Sequence, residues 1–333
     1  MKMLLSWFLL ILPASLIAQT LQKLPVSPCK SLRGLSVVDD RVAWASGTQG
    51  YVGITKDGGN NWQWLQVPGF ETLDFRDVEA FSDQKAVIMS SGTPAVILTT
   101  DDGGKTWQTR YRSNDKAVFL DEMDFSDEQH GTILGDPIGG KFLLMSTGDG
   151  GRTWQEVKNR PEAMEGEACF AASGTGIRYI NANRLAFVTG GSIARLFILD
   201  GEKWVVKSVP VTHGRASQGV FSFDRSADGR WIFVGGDYLN TKSPAMAAVF
   251  ARKVETASPE IGFSGVSGYR SSVEWVDKKL AIATGPSGTE ISKDGKRWRE
   301  LSTDGYNVCR RAKNGSLVLL AGSKGDMAKL VAN

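Results

Sequence analysis

A short motif that recurs along the chain constrains the fold more than any other feature of this sequence. Three segments, at 55–62, 100–107 and 147–154, share the form Thr-x-Asp-Gly-Gly-x-x-Trp. Two shorter relatives follow at 200–204 and 292–298, where four positions rather than five separate Asp from Trp. The motif tryptophans lie 45, 47, 50 and 94 residues apart, and 94 is twice 47. A fixed period of this size is typical of repeat architectures.

The chain length agrees with seven such repeats. Without its first 18 residues the chain has 315, or 45 for each repeat. A repeat without the motif falls near 247–252, and another covers about 308–330. With about four short strands in each unit, the period predicts an all-β, seven-bladed β-propeller formed by a single domain, residues 19–333. We expect a strand near 21–26 to complete the last blade and close the ring.

The Asp and Trp of each motif are predicted to be structural. The carboxylate can accept hydrogen bonds from turn amides and from the Thr hydroxyl, and Gly tolerates positive φ. The Trp offers an apolar face that can pack between neighbouring blades. This interpretation covers Asp57, Asp102, Asp149, Asp200, Asp294, Trp62, Trp107, Trp154, Trp204 and Trp298.

The first 18 residues have the layout of a secretory signal peptide. Lys2 precedes an apolar run at 3–17, and a small residue, Ala18, ends it. A permanent membrane anchor is the alternative, but Pro13 and Ser15 interrupt a run that is already short for a membrane span. We therefore expect an exported protein, periplasmic or extracellular, with no stable membrane insertion once the signal is removed.

The net charge and the cysteine spacing restrict which partners, metal sites and disulfides are expected. The formal net charge is only +3, and no Lys/Arg-rich run is present, so nucleic acid is not an expected partner. Cys29, Cys169 and Cys309 have neither a metal-binding spacing nor a disulfide-rich framework. Buried free thiols are the favoured interpretation, and a bridge between Cys29 and Cys309 is the alternative.

No cofactor or metal is predicted. No glycine motif follows a strand and opens a helix, as a dinucleotide site requires. The chain has two histidines, His130 and His213, which the repeat register places on opposite faces, so a histidine metal centre is not expected. Calcium held by carboxylates such as Asp121 and Asp136 is left as an alternative.

One face of the predicted ring gathers the candidate site residues. In a propeller, the loops entering the innermost strands and the loops between second and third strands share a face, here called the mouth. Arginines there can grip a carboxylate or phosphate. The predicted ligand-binding residues are Arg33, Arg76, Arg215, Arg270, Asp136 and Arg195. The acids predicted beside them are Asp77, Asp121, Glu122 and Glu167. The alternative is that these groups pair with one another and line a wet channel.

Two functions fit such a mouth. The first is a monomeric recognition or scaffold propeller that binds an anionic peptide, protein or glycan without breaking a bond. The second is a glycan-cleaving hydrolase or lyase, with candidate catalytic residues Glu167, Asp237, His213 and Tyr238. No nucleophile motif, phosphate loop or metal-ligand spacing is present, which favours the first function.

The motif resembles the Asp-box, or BNR, repeat of sialidases, sortilin-type receptors and the photosystem II assembly and stability factor. Further segments resemble a secreted bacterial branch related to that factor: 33–38, 74–77, 135–137, 166–175, 235–238, 268–271 and 285–288. The resemblance implies a seven-bladed propeller and supports a recognition role. A sialidase would begin with Arg-Ile-Pro, whereas Gly34 and Leu35 follow Arg33 here, so sialidase activity is not expected.

Overall fold

Short strands separated by Gly-rich turns build this fold, and the second and third strands of most blades are buried along nearly their whole length. The structure, a computed structural model, describes residues 19–244, 246–254 and 260–332, without the side chains of Phe263 and Ser264. Within those residues there are β-strands and no helix. The predicted signal peptide at 1–18 lies outside the described residues. The strands form seven antiparallel sheets, and each sheet is one blade.

The strands follow the chain from blade to blade. The first strand is β1 (Gln19–Lys23). Blade 1 contains β2 (Leu32–Val37), β3 (Ala43–Gly47), β4 (Tyr51–Thr55) and β5 (Gln63–Gln66). Blade 2 contains β6 (Phe75–Ala80), β7 (Ala86–Ser90), β8 (Ala95–Thr100) and β9 (Gln108–Ser113). Blade 3 contains β10 (Leu120–Phe125), β11 (Gly131–Ile138), β12 (Lys141–Thr147) and β13 (Gln155–Glu156).

Blades 4 and 5 are joined by two extra short strands, β14 (Glu167–Ala168) and β17 (Gly190–Gly191). Blade 4 contains β15 (Ile177–Asn181), β16 (Arg184–Val188), β18 (Arg195–Asp200) and β19 (Lys203–Ser208). Blade 5 contains β20 (Arg215–Arg225), β21 (Trp231–Asp237), β22 (Ala248–Arg252) and β23 (Glu260–Ser264). The two extra strands extend the sheet of blade 5 beyond β20, in the order β14-β17-β20.

Blade 6 contains β24 (Ser272–Asp277), β25 (Leu280–Gly285), β26 (Gly288–Ser292) and β27 (Trp298–Ser302). Blade 7 contains β28 (Val308–Arg311), β29 (Val318–Ala321) and β30 (Met327–Ala332). β1 pairs antiparallel with β30, with Leu21 opposite Leu330, and supplies the fourth strand of blade 7. The predicted seven-bladed ring, closed by the N-terminal strand, is therefore confirmed.

The core is divided among the seven junctions between neighbouring blades, each filled by its own apolar cluster. At the junction of blades 7 and 1, Val308 and Leu319 lie in the same cluster as Leu35. The motif tryptophans pack into these junctions. Trp107 of blade 2 meets Trp44 of blade 1 edge-on, with ring centroids 6.2 Å apart. Each blade is thus stabilised chiefly through its two neighbours.

The motif turns have one repeated geometry. The Thr100 hydroxyl donates to Asp102 Oδ1 at 2.9 Å and accepts from the amide of Gly104 at 3.0 Å. Asp102 also accepts from the amide and the hydroxyl of Thr106. The indole of Trp107 donates to the Gly104 carbonyl at 3.1 Å. The turns at Asp57, Asp149 and Asp294 repeat the contact between the carboxylate and the hydroxyl two residues before it.

The segment at 200–204 departs from this geometry, so the prediction for Asp200 is corrected. Asp200 pairs with Lys203 across a tight hairpin, and Ile198 stands where the other turns have Thr or Ser. The Asp200 carboxylate instead faces Arg184 at 3.4 Å on the surface. Asp200 therefore belongs to a surface ion pair.

All three cysteines are free and buried. Cys29 belongs to the cluster between blades 7 and 1, whereas Cys309 belongs to the cluster between blades 6 and 7. The Cys29 thiol donates to the Ser31 carbonyl at 3.1 Å. The alternative of a Cys29–Cys309 bridge is therefore not realised in the structure.

Candidate functional site

A cavity of about 510 Å³ lies at the mouth, the face that the repeat register predicts. Its charged lining residues are Arg33, Arg76, Asp121 and Asp136, and its aromatic lining residues are Phe119, Phe170, Phe221, Tyr238 and Tyr269. They come from blades 1, 2, 3, 5 and 6 and from the connection into blade 4. The ring therefore assembles in one pocket groups that are far apart along the chain.

The floor of this pocket is residues 169–176, here called the plug, which connect β14 to the innermost strand of blade 4. Arg33 Nη1 donates to the Ala172 carbonyl at 3.0 Å, and Arg76 Nη1 donates to the Ala171 carbonyl at 3.4 Å. From the other side of the ring, Arg310 Nη2 donates to the Gly174 carbonyl at 2.8 Å. The chain itself therefore crosses the axis of the ring.

Hydroxyl bonds and glycines fit the plug to its surroundings. Ser173 donates to the Ser271 carbonyl of the connection into blade 6, and Thr175 donates to Ser222 of blade 5, each at 2.7 Å. Gly174 has φ +64°, and a Cβ there would come within 2.3 Å of Asp77. The plug accordingly needs small residues and Gly, and a ligand in the mouth rests on it rather than entering an open channel.

Arg33 is the cation in the pocket without a carboxylate partner. It is partly buried, and among the described residues no carboxylate lies within ion-pair distance of it. Burial, and next the neighbouring Arg76, lower the pKa of Arg33. Arg76 differs, because its Nε donates to Asp74 at 2.7 Å. An anion in the pocket would relieve the repulsion between the two guanidinium groups.

Burial opposes ionisation of the two acids of the pocket. Burial raises the pKa of Asp121 well above its ordinary value, and Asp136 and Glu122 act in the same direction. Burial also raises the pKa of Asp136, although the Cys169 amide donates to it at 3.0 Å. Both carboxyls are therefore harder to ionise than a solvated aspartate, beside two arginines that stay charged.

Four rings form one side of the pocket, here called the aromatic wall: Phe170, Phe221, Tyr238 and Tyr269. Phe170 and Phe221 are stacked, with centroids 3.8 Å apart. Tyr269 and Tyr238 meet Phe221 edge-on, at 4.8 and 6.1 Å.

Two glycines make room for the Phe170 ring. A Cβ on Gly190 or Gly219 would come within 2.4 or 2.9 Å of that ring. Gly190 and Gly191 form strand β17. The aromatic wall was not predicted from the sequence. The signal that could have indicated it is the pair of glycines, Gly190 and Gly219, that face one aromatic ring from two strands.

Arg270, predicted to bind a ligand, is corrected to a buried structural residue. Its side chain is 1% exposed, and Nη2 lies 2.7 Å from Glu290 Oε2. It also donates to the Tyr269 carbonyl and to the hydroxyls of Ser287 and Ser267. Its hydrogen-bonding capacity is used within the fold, so it cannot reach a ligand.

Glu167 and Arg195 are corrected in the same way, since they satisfy each other. The guanidinium of Arg195 donates to both oxygens of Glu167, and the side chain of Glu167 is fully buried. Thr189 and the amide of Met164 donate to the same carboxylate. Neither residue lines the mouth cavity. Glu167 is therefore not placed to act as a catalytic acid or base.

The remaining candidates lie around the rim. Asp237 accepts from Gln218 at 3.0 Å and from the Leu239 amide at 3.0 Å, so it braces a turn. Burial acts to raise the pKa of Asp237, but these hydrogen bonds outweigh it and lower the pKa. His213 and Arg215 are exposed and do not line the cavity, whereas Tyr238 does. The four predicted catalytic side chains are therefore not brought together.

Two acids predicted at the mouth lie beside the plug instead. Asp77 accepts from the Met123 amide of the next blade at 2.8 Å, and burial raises its pKa to about 7. Burial, and next Asp77, raise the pKa of Glu122 well above its ordinary value. Asp77 thus links blades 2 and 3 through the Met123 amide, and neither carboxyl lines the cavity.

Metal-binding clusters and membrane-spanning helices are both absent from the part of the chain that the structure describes. There, no three His, Cys, Asp or Glu side chains converge in a way that could hold a metal ion. The same residues contain no helix long and apolar enough to cross a membrane.

The fold and site define a seven-bladed β-propeller whose mouth holds a cationic pocket with an aromatic wall. The model of the family described as photosynthesis system II assembly factor YCF48 matches residues 17–116. The resemblance to that family is therefore confirmed over the first part of the chain. Among curated proteins, none matches this sequence.

Solved structures extend the similarity of fold over nearly the whole chain. A structure described as YCF48 bound to D1 peptide is 15% identical, with a TM-score of 0.66, and covers 97% of this chain and 100% of that one. YCF48 from Cyanidioschyzon merolae is 16% identical, with a TM-score of 0.62 over 93% and 98% of the two chains. The WD40 domain of Neurospora crassa Pan2 is 12% identical, with a TM-score of 0.62 over 90% and 88%. Identities this low compare folds only.

Proposed function

We propose that this protein is an exported recognition propeller that binds an anionic segment of a peptide or protein at its mouth. The observation that carries the proposal is Arg33, a partly buried cation on the pocket wall without a carboxylate partner among the described residues. A cation left in this state favours an external anion. Export rests on residues 1–18 and is part of the proposal.

The pocket is arranged for binding with little reorganisation. Plug carbonyls hold Arg33 and Arg76, so part of their side-chain entropy is already lost before a ligand arrives. Each guanidinium has further N–H groups beyond those that the plug occupies. A carboxylate above the plug could accept from both arginines.

A peptide is the favoured ligand class. A propeller of the same fold, YCF48, is described as bound to the D1 peptide, which supports peptide recognition by this architecture. The glycan-cleaving alternative has no comparable support, since Glu167 is paired with Arg195 and Asp237 braces a turn.

The test is an Arg33→Gln variant titrated with short acidic peptides and with their amidated or Gln counterparts. We expect the wild type to prefer the acidic peptides, and the variant to bind them about 30-fold more weakly or worse, because one partner of a poorly solvated charge pair is lost. Affinity should also fall as salt rises.

Arg215→Gln is the matched control, because Arg215 is an exposed arginine of the same face that does not line the cavity. We expect its affinity to stay near that of the wild type. Equal affinity of Arg33→Gln and the wild type, with both folded, would refute the proposal.

A further inference from the structure

Three of the seven large apolar side chains that are exposed in the described residues lie in the loop after β21. Tyr238 and Leu239 follow β21 directly at the mouth, and their side chains are 45% and 79% exposed. Met246, later in the same loop, is 51% exposed. Exposed apolar groups that adjoin a pocket, rather than lying singly, are typical of interaction sites.

The loop that carries these side chains is held in place. The Tyr238 amide donates to the Ser217 carbonyl of β20 at 3.1 Å. Asp237 accepts from the Leu239 amide and from Gln218, and its carbonyl accepts from Asn240. Tyr238 and Leu239 are therefore presented to solvent by a braced turn, and their exposure is a fixed feature of the fold.

The same surface continues inward to the cationic part of the pocket. Tyr238 meets Phe221 edge-on, and Phe221 contacts Tyr269 and stacks on Phe170. Burial raises the pKa of Tyr269. The positive charge of Arg33 lies close enough to the Tyr269 hydroxyl to oppose that rise. An apolar surface thus begins beside the guanidinium of Arg33, which has no carboxylate partner among the described residues, and ends at Leu239 on the rim.

We propose that the mouth recognises a peptide in which an acidic group is followed directly by apolar side chains, with the acid at Arg33 and the apolar residues along the aromatic wall to Tyr238 and Leu239. This inference rests on the proposed function and names the second half of the recognised sequence. Asp237 is then a positioning residue, because its carboxylate accepts the hydrogen bonds that hold the turn at the rim in place.

Four short peptides test the acidic and the apolar part of the recognised sequence independently. Two carry an acidic residue, followed either by Leu and Phe or by Ala, and the other two carry Gln in place of the acid. For the wild type we expect the acidic apolar peptide to bind about tenfold more tightly than the acidic Ala peptide. In Tyr238→Ala and Leu239→Ser, that advantage should shrink towards onefold, while the acidic Ala peptide should still bind more tightly than the Gln Ala peptide.

Val206→Ser is the matched control, because Val206 is 40% exposed on the outer strand β19, away from the mouth. It should retain the full apolar advantage. Tyr238→Phe should also retain it, since the ring, and not the hydroxyl, forms the contact. Melting temperatures near that of the wild type would show that the variants are folded.

The outcomes distinguish the inference from the proposed function. Equal binding of the two acidic peptides overturns the inference and leaves the proposed function standing. No preference for acid in any peptide overturns both. Tighter binding of a hexuronate oligosaccharide, with the same dependence on Tyr238, would make the occupant of the wall a sugar and overturn the peptide assignment.

Discussion

Arg33 lies in β2, the innermost strand of blade 1, and Arg270 lies just before β24, the innermost strand of blade 6, yet they have opposite roles. Arg270 lies against Glu290, with hydroxyls on its remaining donors, and is fully buried. The guanidinium of Arg33 donates to a carbonyl of the plug and lines the open pocket. The roles differ because β26 of blade 6 supplies the carboxylate of Glu290 to Arg270, whereas no carboxylate among the described residues pairs with Arg33.

Arg270→Met should therefore affect stability rather than ligand binding alone. Removal of one partner from a buried pair leaves Glu290 as an uncompensated buried charge, at a cost of about 3–5 kcal/mol in the free energy of unfolding. Denaturant unfolding measures this loss. The double variant with Glu290→Gln should recover part of it, and Arg33→Gln should lose far less. Wild-type stability of Arg270→Met would contradict the structural assignment.

At the scale of the element, the motif turn works as a unit of hydroxyl, carboxylate and amides. The side-chain hydroxyl of Thr106, and then its amide, hold the pKa of Asp102 at about 2, below the ordinary value of 3.8. A carboxyl with a lowered pKa in the folded state stabilises the protein above the unfolded pKa. That contribution is lost as pH falls from about 4 through about 2.

Asp102→Asn should lower the melting temperature at pH 7, and its difference from the wild type should shrink as pH falls from about 4 towards 2. Asp200→Asn is the control, because Asp200 forms only a surface ion pair with Arg184 in place of the box contacts. Thermal unfolding over this pH range is the measurement. An Asp102 variant that behaves like the Asp200 variant would count against the box geometry.

At the scale of the whole molecule, stability depends on closing the ring. Blade 7 combines β28 to β30 with β1, so the two ends of the described chain share one sheet. Without β1, strand β30 would become an unpaired edge, and Leu21 would no longer cover the cluster between blades 6 and 7.

Deletion of residues 19–23 should therefore lower the melting temperature more than loss of a single motif carboxylate, and it should promote association between chains through β30. Thermal unfolding and light scattering at several concentrations measure these effects. A shortened chain with the same association state and melting temperature as the wild type would show that ring closure contributes little.

The sequence predicts the ring well and the site only in part, and the reason is the range of the interactions. The motif around Asp102 is local, so it is visible in eight consecutive residues. Arg195, the partner of Glu167, lies 28 residues from it in the chain, and Glu290, the partner of Arg270, lies 20 residues away. Only the register of the strands shows that these side chains meet. Apart from Phe170, the plug consists of small residues, and its bonds to Arg76 and Arg33 span 95 and 139 residues of the chain.

The plug also limits how such a molecule can change through evolution. Propellers grow or shrink by duplicating or losing repeats, which alters the width of the central space. Here the plug is bonded at once to Arg33 of blade 1, to Arg76 of blade 2, to Ser222 of blade 5 and to Arg310 of blade 7. An eighth blade would move these groups outward and leave the plug without its bonds. The blade number is thus tied to a single stretch of eight residues, and a lineage that kept this mouth could not readily alter the count.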